Sequence, residues 1–215
     1  MTRALILEGG WDGHEPHLCA DEVAEMLNEL GIEVTRSTSL EVLSDALRMA
    51  SIDLVVPIWT MGVLERAQEQ GLERAVRAGT GLAGFHGGMG DAFRASIDYQ
   101  WMVGGQFVAH PGNIREYRVD IADPDHEITR DASSFYVTTE QYYLHVDPSI
   151  HVLADTSFDG AAAPWIDGVV MPVAWTRQHG AGRVFYSALG HAALELRQSD
   201  VRQLLARGMR WAARA

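Results

Sequence analysis

The chain has 215 residues, and 47% of them are hydrophobic, which is enough to bury the core of one α/β domain spanning residues 1–215. A formal net charge of −12 excludes the basic surface that nucleic-acid binding needs. No apolar stretch reaches the roughly 18 residues of a membrane span, and a single cysteine, Cys19, rules out an internal disulfide. We therefore expect a cytoplasmic protein.

The first half of the chain alternates short apolar runs with apolar residues at helical spacing. The runs predict strands at residues 4–7, 32–35, 54–58 and 82–85. Three helices are predicted between them; Gly31 ends the first and Ser39 caps the second. This alternation indicates a doubly wound, mostly parallel sheet, in which ligands bind beyond the carboxyl ends of the strands.

The segment 104–160 interrupts this rhythm, and we interpret it as a β-rich insertion or an extension of the sheet. The remaining predictions are strands at residues 114–121, 138–144 and 151–154, a hairpin of 168–175 with 183–186, and a last helix over about 200–213.

The sequence GLAGFHGGMGD places His86 directly after the fourth predicted strand. Gly84 and Gly88 flank it at the spacing of a G-x-S-x-G nucleophile elbow. A histidine there can act as a general base, a metal ligand or a hydrogen-bond donor to a substrate oxygen. The alternative is a histidine that only caps the turn. The glycines favour function, because they permit close approach of another molecule.

Five segments together resemble the ThuA-like (trehalose utilisation) family over essentially the whole chain. They are LEGGWDGHEPH, GFHGGMGDAF, GGQFVAHPG, TTEQYYLH and MPVAWTRQHGAGRVFYSALGH. The resemblance implies a class I glutamine amidotransferase-like fold, related to flavodoxin-like sheets. It also implies a setting in sugar metabolism, including bacterial pathways that oxidise glycosides to 3-keto sugars.

In amidotransferases an elbow cysteine attacks the substrate, and a histidine near the last strand acts as the base. Here His86 stands at the elbow, and His191 matches the late histidine. Because an imidazole cannot replace the thiolate, glutamine hydrolysis is excluded. The alternative for His191 is a residue that only begins the following helix.

The motif H-E-P-H supplies His14 and His17, which can share one helical face at their i, i+3 spacing. Together with His86, and with Glu8 or Glu15 nearby, they predict a site for a divalent metal such as Zn²⁺. The alternative is a helix cap beside one exposed histidine.

The β-rich segment contributes Glu140, Tyr142 and His110. Glu140 can bind a sugar hydroxyl or a metal, or act as an acid or base. We expect His110 and Tyr142 to contact substrate, with His110 in a lid or wall. The alternative is that the residues of TTEQYYLH are ordinary strand residues facing solvent.

Tryptophans near strand ends are candidates for stacking on a sugar ring. Trp59 and Trp175 are preferred to Trp11, because each follows a predicted strand, although most tryptophans are packing residues. His126 and His179 lie in turn-rich segments and are expected to be exposed.

Two classes of function remain open. The first is an enzyme (lyase, isomerase or hydrolase) acting on glycosides or keto-sugars, with His86, His191 and Glu140 as catalytic residues. The second is a non-catalytic sugar- or partner-binding module. A catalyst needs at least two titratable groups that converge on one substrate atom, whereas a binding module does not. No nucleotide cofactor is expected, because G-x-G-x-x-G is missing. A small carbohydrate and a second copy in a homodimer are the expected partners.

Overall fold

The computed structural model describes residues 1–214, which form a mixed α/β fold. The strands are β1 (Arg3–Gly10), β2 (Glu33–Ser37), β3 (Leu54–Thr60), β4 (Gly81–Phe85), β5 (Gly105–Ala109), β6 (Ile114–Ile121), β7 (Phe135–Glu140), β8 (Tyr143–Val146), β9 (His151–Ser157), β10 (Val170–His179) and β11 (Gly182–Ser187). The helices are α1 (Pro16–Glu29), α2 (Ala46–Ala50), α3 (Arg66–Arg77), α4 (His86–Gly90), α5 (Ile97–Val103) and α6 (Ser199–Ala212).

Nine strands form one large sheet in the order β2-β1-β3-β4-β11-β10-β9-β6-β7. The first five are parallel to one another; four of them, β1 to β4, are the strands that the alternating sequence predicts, and β11 is the fifth. The hairpin of β10 and β11 then reverses the chain direction, and the remaining pairs are antiparallel. The sheet thus has four parallel pairs on one side and four antiparallel pairs on the other, and the hairpin is the first of the antiparallel pairs.

The core forms around the parallel strands, which carry continuous apolar runs because both of their faces are covered. Every residue of β4 is buried, and so are residues 4–8 of β1. The chain moves from β1 to β2 in one direction and from β3 to β4 in the other. Right-handed crossovers therefore place α1 and α3 on opposite faces. The strand order reverses at β1 and β3, where open sheets of this type form a crevice.

The predicted strand at 138–144 is in fact two strands, β7 and β8, separated by Gln141 and Tyr142. The side chain of Gln141 is buried and donates hydrogen bonds to the Thr156 hydroxyl and to the Ser157 carbonyl. These bonds hold the chain where it leaves the large sheet. Strand β8 then pairs with β5 in a separate two-stranded sheet.

The predicted second helix is a 3₁₀ turn at Leu40–Ser44 followed by α2. Ser39 caps the turn as predicted, because its hydroxyl accepts a hydrogen bond from the backbone N–H of Glu41. Within residues 1–214, no helix combines the length and the apolar character needed to cross a bilayer.

Candidate functional site

The sequence GFHGG forms a sharp turn between β4 and α4, and His86 is the first residue of α4. The backbone of Phe85 is still extended. His86 has a φ of 44°, in the left-handed region that residues other than glycine rarely adopt. Strain of this kind is typical of an elbow that presents one side chain. The His86 imidazole is buried, and its Nδ1 lies 2.8 Å from the carbonyl oxygen of Ala188.

Glycines make room around the elbow for the protein's own side chains. A Cβ at Gly87 would lie 2.5 Å from the imidazole Cε1 of His14, and one at Gly90 would lie 2.3 Å from the Tyr186 hydroxyl. Both distances are too short for any side chain. We expected Gly84 and Gly88 to admit another molecule; in the structure the space at Gly84 is filled by Met89 and that at Gly88 lies against the backbone of Ile58.

Three atoms that could bind a metal, from distant parts of the chain, meet beside the elbow. The Nε2 of His86 lies 3.2 Å from Glu140 Oε2 and 3.3 Å from His191 Nδ1, and the third side of the triangle is 3.4 Å. With one ring nitrogen of His14, these atoms all lie within 4.8 Å of one another. The four residues, His14, His86, Glu140 and His191, are called the His/Glu cluster below.

His14 enters the cluster from the loop after β1. Its Nδ1 makes a 2.8 Å hydrogen bond with the hydroxyl of Thr60, at the end of β3. Burial, reinforced by the charges of His86 and His191, lowers the pKa of His14 from 6.5 to about 3. His14 is therefore neutral at physiological pH, the state that metal binding or base catalysis requires.

The carboxyl of Glu140 supplies the negative charge of the cluster. Burial on its own would raise the pKa of Glu140, but hydrogen bonds to His191 and His86, together with their charges, lower it well below its usual range. Reciprocally, the hydrogen bond to Glu140 raises the pKa of His191. Glu140 thus remains ionised between two imidazoles.

His17 does not join His14, contrary to the prediction from their i, i+3 spacing. Glu15 lies between them with a φ of 48°, so His14 ends a 3₁₀ turn before α1 begins at Pro16. His17 instead lies 2.9 Å from Glu8, with 62% of its side chain exposed. The Glu8 carboxylate also accepts two hydrogen bonds from the Arg36 guanidinium, one at each oxygen.

Tyr142 and His110 adjoin the His/Glu cluster in different ways. The Tyr142 ring is buried and packs on the His86 imidazole with 4.0 Å between centroids, so it positions His86 and offers no face to a ligand. The Nε2 of His110 lies 3.7 Å from Glu140 Oε1, the oxygen that does not face His86. His110 is partly exposed and follows β5, as a wall residue would.

The preferred tryptophans are both held by packing. Trp175 is 0% exposed, and its indole N–H donates to the Val103 carbonyl, so it cannot stack on a ligand and that prediction is wrong. Strand alternation turns its side chain into the core, where it packs on Tyr186. Trp59 is partly buried, and Gly9 packs against its indole ring.

Two positioning groups were not predicted from the sequence. Thr60 reads as an ordinary strand-end residue, and a backbone carbonyl such as that of Ala188 leaves no signal in a sequence at all. His179 is also a correction: it was expected to be exposed but is buried against Trp101.

The sequence profile of the ThuA family, described as trehalose utilisation, matches residues 3–212. The chain belongs to the ThuA family. This membership confirms the resemblance and places the protein in a carbohydrate-related family. A search among individually curated proteins gave no significant match.

Solved structures share the ThuA fold at low sequence identity. A ThuA-like protein from Bacteroides uniformis ATCC 8492 is 17% identical, with a TM-score of 0.80 over 98% of this chain and 91% of the other. A cytoplasmic protein from Salmonella typhimurium LT2 is 13% identical, with a TM-score of 0.69 over 99% and 100% of the two chains. A β-galactosidase from Bacillus circulans sp. alkalophilus matches over 98% of this chain but 30% of its own length, at 15% identity and a TM-score of 0.57. At these identities the likeness is one of fold.

Proposed function

We propose that the His/Glu cluster binds a divalent metal such as Zn²⁺ and that the protein is an enzyme acting on glycosides or keto-sugars. The support comes first from spacing. Two atoms bonded to one tetrahedral zinc at about 2.0–2.2 Å lie about 3.3–3.6 Å from each other. The donor atoms of His86, Glu140 and His191 are 3.2–3.4 Å apart, close to this value.

The hydrogen-bonding chemistry of His86 also calls for a cation. A carbonyl oxygen only accepts hydrogen bonds, so His86 Nδ1 must carry a proton and donate it to Ala188. In the neutral ring, Nε2 is then a bare acceptor, and it faces the Glu140 carboxylate. A second proton on the ring would let Nε2 donate to Glu140, but a metal ion held between Nε2, the carboxylate and His191 Nδ1 satisfies all three atoms at once. Metal-binding histidines commonly donate their second N–H to a carbonyl in this way.

A metal bound here would polarise a carbonyl or hydroxyl oxygen of a sugar. The chain's own residues would handle the protons. With Oε2 of Glu140 and Nδ1 of His191 on the metal, Oε1 of Glu140 and the neighbouring His110 would remain to remove an acidic proton beside a ketone, and the second ring nitrogen of His191 would remain to return one to a leaving group. Such steps belong to lyases, isomerases and hydrolases. We interpret His86 as standing where class I glutamine amidotransferases carry a cysteine, so glutaminase activity is not proposed.

The convergence of His86, Glu140 and His191 on one point favours this enzyme over a binding module. A sugar-binding module needs hydroxyl partners and aromatic surfaces, but it has no use for three titratable groups within 3.4 Å.

We place the enzyme in the cytoplasm, because its single cysteine is buried and free.

The first experiment is elemental analysis of the untagged protein, compared with its His86→Ala and His145→Ala variants. His145 is an exposed histidine of β8 and serves as the control. We expect nearly one equivalent of a divalent metal in the wild type and in His145→Ala, and its loss in His86→Ala. Equal metal content in all three proteins, or none in the wild type after incubation with zinc, manganese or cobalt, would refute the metal site.

The second experiment measures turnover of 3-keto-glycosides by the same three proteins. Loss of turnover in His86→Ala alone supports the enzyme. Unchanged turnover in that variant, or no turnover by the metal-loaded wild type, would remove the catalytic proposal and leave the binding module.

A further inference from the structure

We infer that Trp11 is the platform on which the substrate's sugar ring stacks, and that the ring belongs to a neutral pyranoside. This inference rests on the proposed function and specifies its substrate class.

The indole of Trp11 adjoins the His/Glu cluster. Its ring lies edge-on to His14, with centroids 4.7 Å apart and planes inclined by 72°. The His14 ring in turn lies 4.9 Å from that of His86 and 5.1 Å from that of His191. A sugar lying on the indole would therefore be a neighbour of the His14 ring and of the cluster.

The indole is held in place although it is exposed. The backbone N–H of Trp11 donates to the Thr60 carbonyl, which fixes the start of the turn. Gly13 packs so closely on the six-membered ring that a Cβ there would lie 2.3 Å from Cζ2. Even so, 49% of the Trp11 surface is accessible. A large apolar surface that is both rigid and exposed beside a polar cluster is the arrangement that a stacking ligand needs.

The other five tryptophans do not fit this role. Trp175 is buried, and Trp59 is partly buried against the core, whereas Trp11 is half exposed. Across residues 1–214, the remaining three lie on α5, α6 and the Pro164–Ile166 turn, and none of their rings contacts a histidine of the cluster.

The charges around Trp11 favour an uncharged sugar. Asp12 and Glu15 flank His14, the chain contains no lysine, and its net charge is −12. The indole itself offers no positive charge to hold a phosphate group, whereas the C–H face of a pyranose can lie on it with its hydroxyls turned to the cluster.

The test compares wild type, Trp11→Ala, Trp11→Phe and Trp165→Ala. Trp165 is 84% exposed on a different turn and is the matched control. Calorimetric titration uses α,α-trehalose and a methyl 3-ketoglucoside, with metal content measured in parallel. We expect Trp11→Ala to weaken binding about tenfold, Trp11→Phe to restore most of it and Trp165→Ala to change nothing, all with unchanged metal content.

Wild-type affinity in Trp11→Ala with its metal retained would overturn the platform and leave the proposed enzyme intact. If the wild type bound neither sugar, the proposed function itself would fall, and the platform with it. If Trp11→Ala does not fold, indole fluorescence decides: sugar should change the emission of the wild type but not of Trp11→Phe, and an equal change in both would overturn the inference. Tighter binding of glucose 6-phosphate than of methyl glucoside would contradict the neutral-sugar class.

Discussion

The hydroxyl of Thr60 should set the metal affinity of the cluster without touching the metal. It lies 2.8 Å from His14 Nδ1, and both side chains are buried. Thr60→Val keeps the side chain's shape but leaves one imidazole nitrogen without its partner. Removing a group that orients a metal ligand typically costs 10–100-fold in affinity.

The magnitude can be measured as the zinc-dependent gain in stability. At a free zinc concentration about 100 times the wild-type Kd, binding stabilises the folded protein by about 2.7 kcal/mol. A tenfold weaker site gives about 1.4 kcal/mol, and a hundredfold weaker site gives about 0.4 kcal/mol. For a chain of this length, 1 kcal/mol shifts Tm by about 2–4 °C. Thermal unfolding with EDTA and with buffered zinc therefore resolves the effect.

Thr80→Val is the matched control, because Thr80 is equally buried and its hydroxyl donates a 3.0 Å hydrogen bond to the Ile52 carbonyl, away from the cluster. Both variants should lose about 1–3 kcal/mol of metal-free stability. Only Thr60→Val should have a smaller zinc-dependent gain, about 1.4 kcal/mol or less instead of about 2.7 kcal/mol. A full zinc shift in Thr60→Val would show that Thr60 merely supports the fold.

Three further outcomes follow from the same geometry. Gly87→Ala would force His14 back by about 1 Å, so it should lower the free energy of unfolding by about 1–3 kcal/mol and abolish zinc binding. A Gly87→Ala variant that retains the metal would contradict this packing. Burial, followed by the charge of Arg177, lowers the pKa of His179, so its contribution to stability is present above about pH 6.5 and is lost as the pH falls below that value. His179→Gln should flatten the fall in unfolding free energy between pH 7 and pH 5, by at most about 1.4 kcal/mol per pH unit, and an unchanged slope would argue against a neutral buried imidazole. Burial raises the pKa of Cys19 to about 12, so its thiol should resist alkylation at pH 8 until the protein is denatured, as a thiol assay with and without guanidinium would reveal.

The parallel half of the sheet was predictable because its strands are buried on both faces and stand out as apolar runs. The elbow at His86 was predictable for a related reason, since a turn with no room for side chains must be built from glycines. Periodicity failed where a single backbone angle changes direction. The positive φ of Glu15 separates His14 from His17, and a glutamate carries no sequence signal for it.

The convergence of His86, Glu140 and His191 could not be read from the sequence, because 54 residues separate the first two and 105 separate the first from the last. Strand topology brings them together: β4 and β11 are neighbours in the sheet, whereas Glu140 comes from the far end of β7, where it pairs with Ile114 of β6. The chain then breaks, and the buried amide of Gln141, a residue with no chemical role, holds the break that directly follows the carboxylate.

The break at Gln141 also explains why one turn supplies both a cluster residue and its support. Glu140 ends β7 and faces the histidines, and Tyr142, two residues later, packs beneath His86. An unbroken strand would place residues 140 and 142 on the same face of the sheet, side by side, and only one could meet His86. With the strand interrupted, the carboxylate and the aromatic ring contact the same imidazole from different directions. Any change that restores a continuous strand here should therefore remove the contact of Tyr142 with His86, which is why Gln141 matters to the site although it touches none of its metal-ligand atoms.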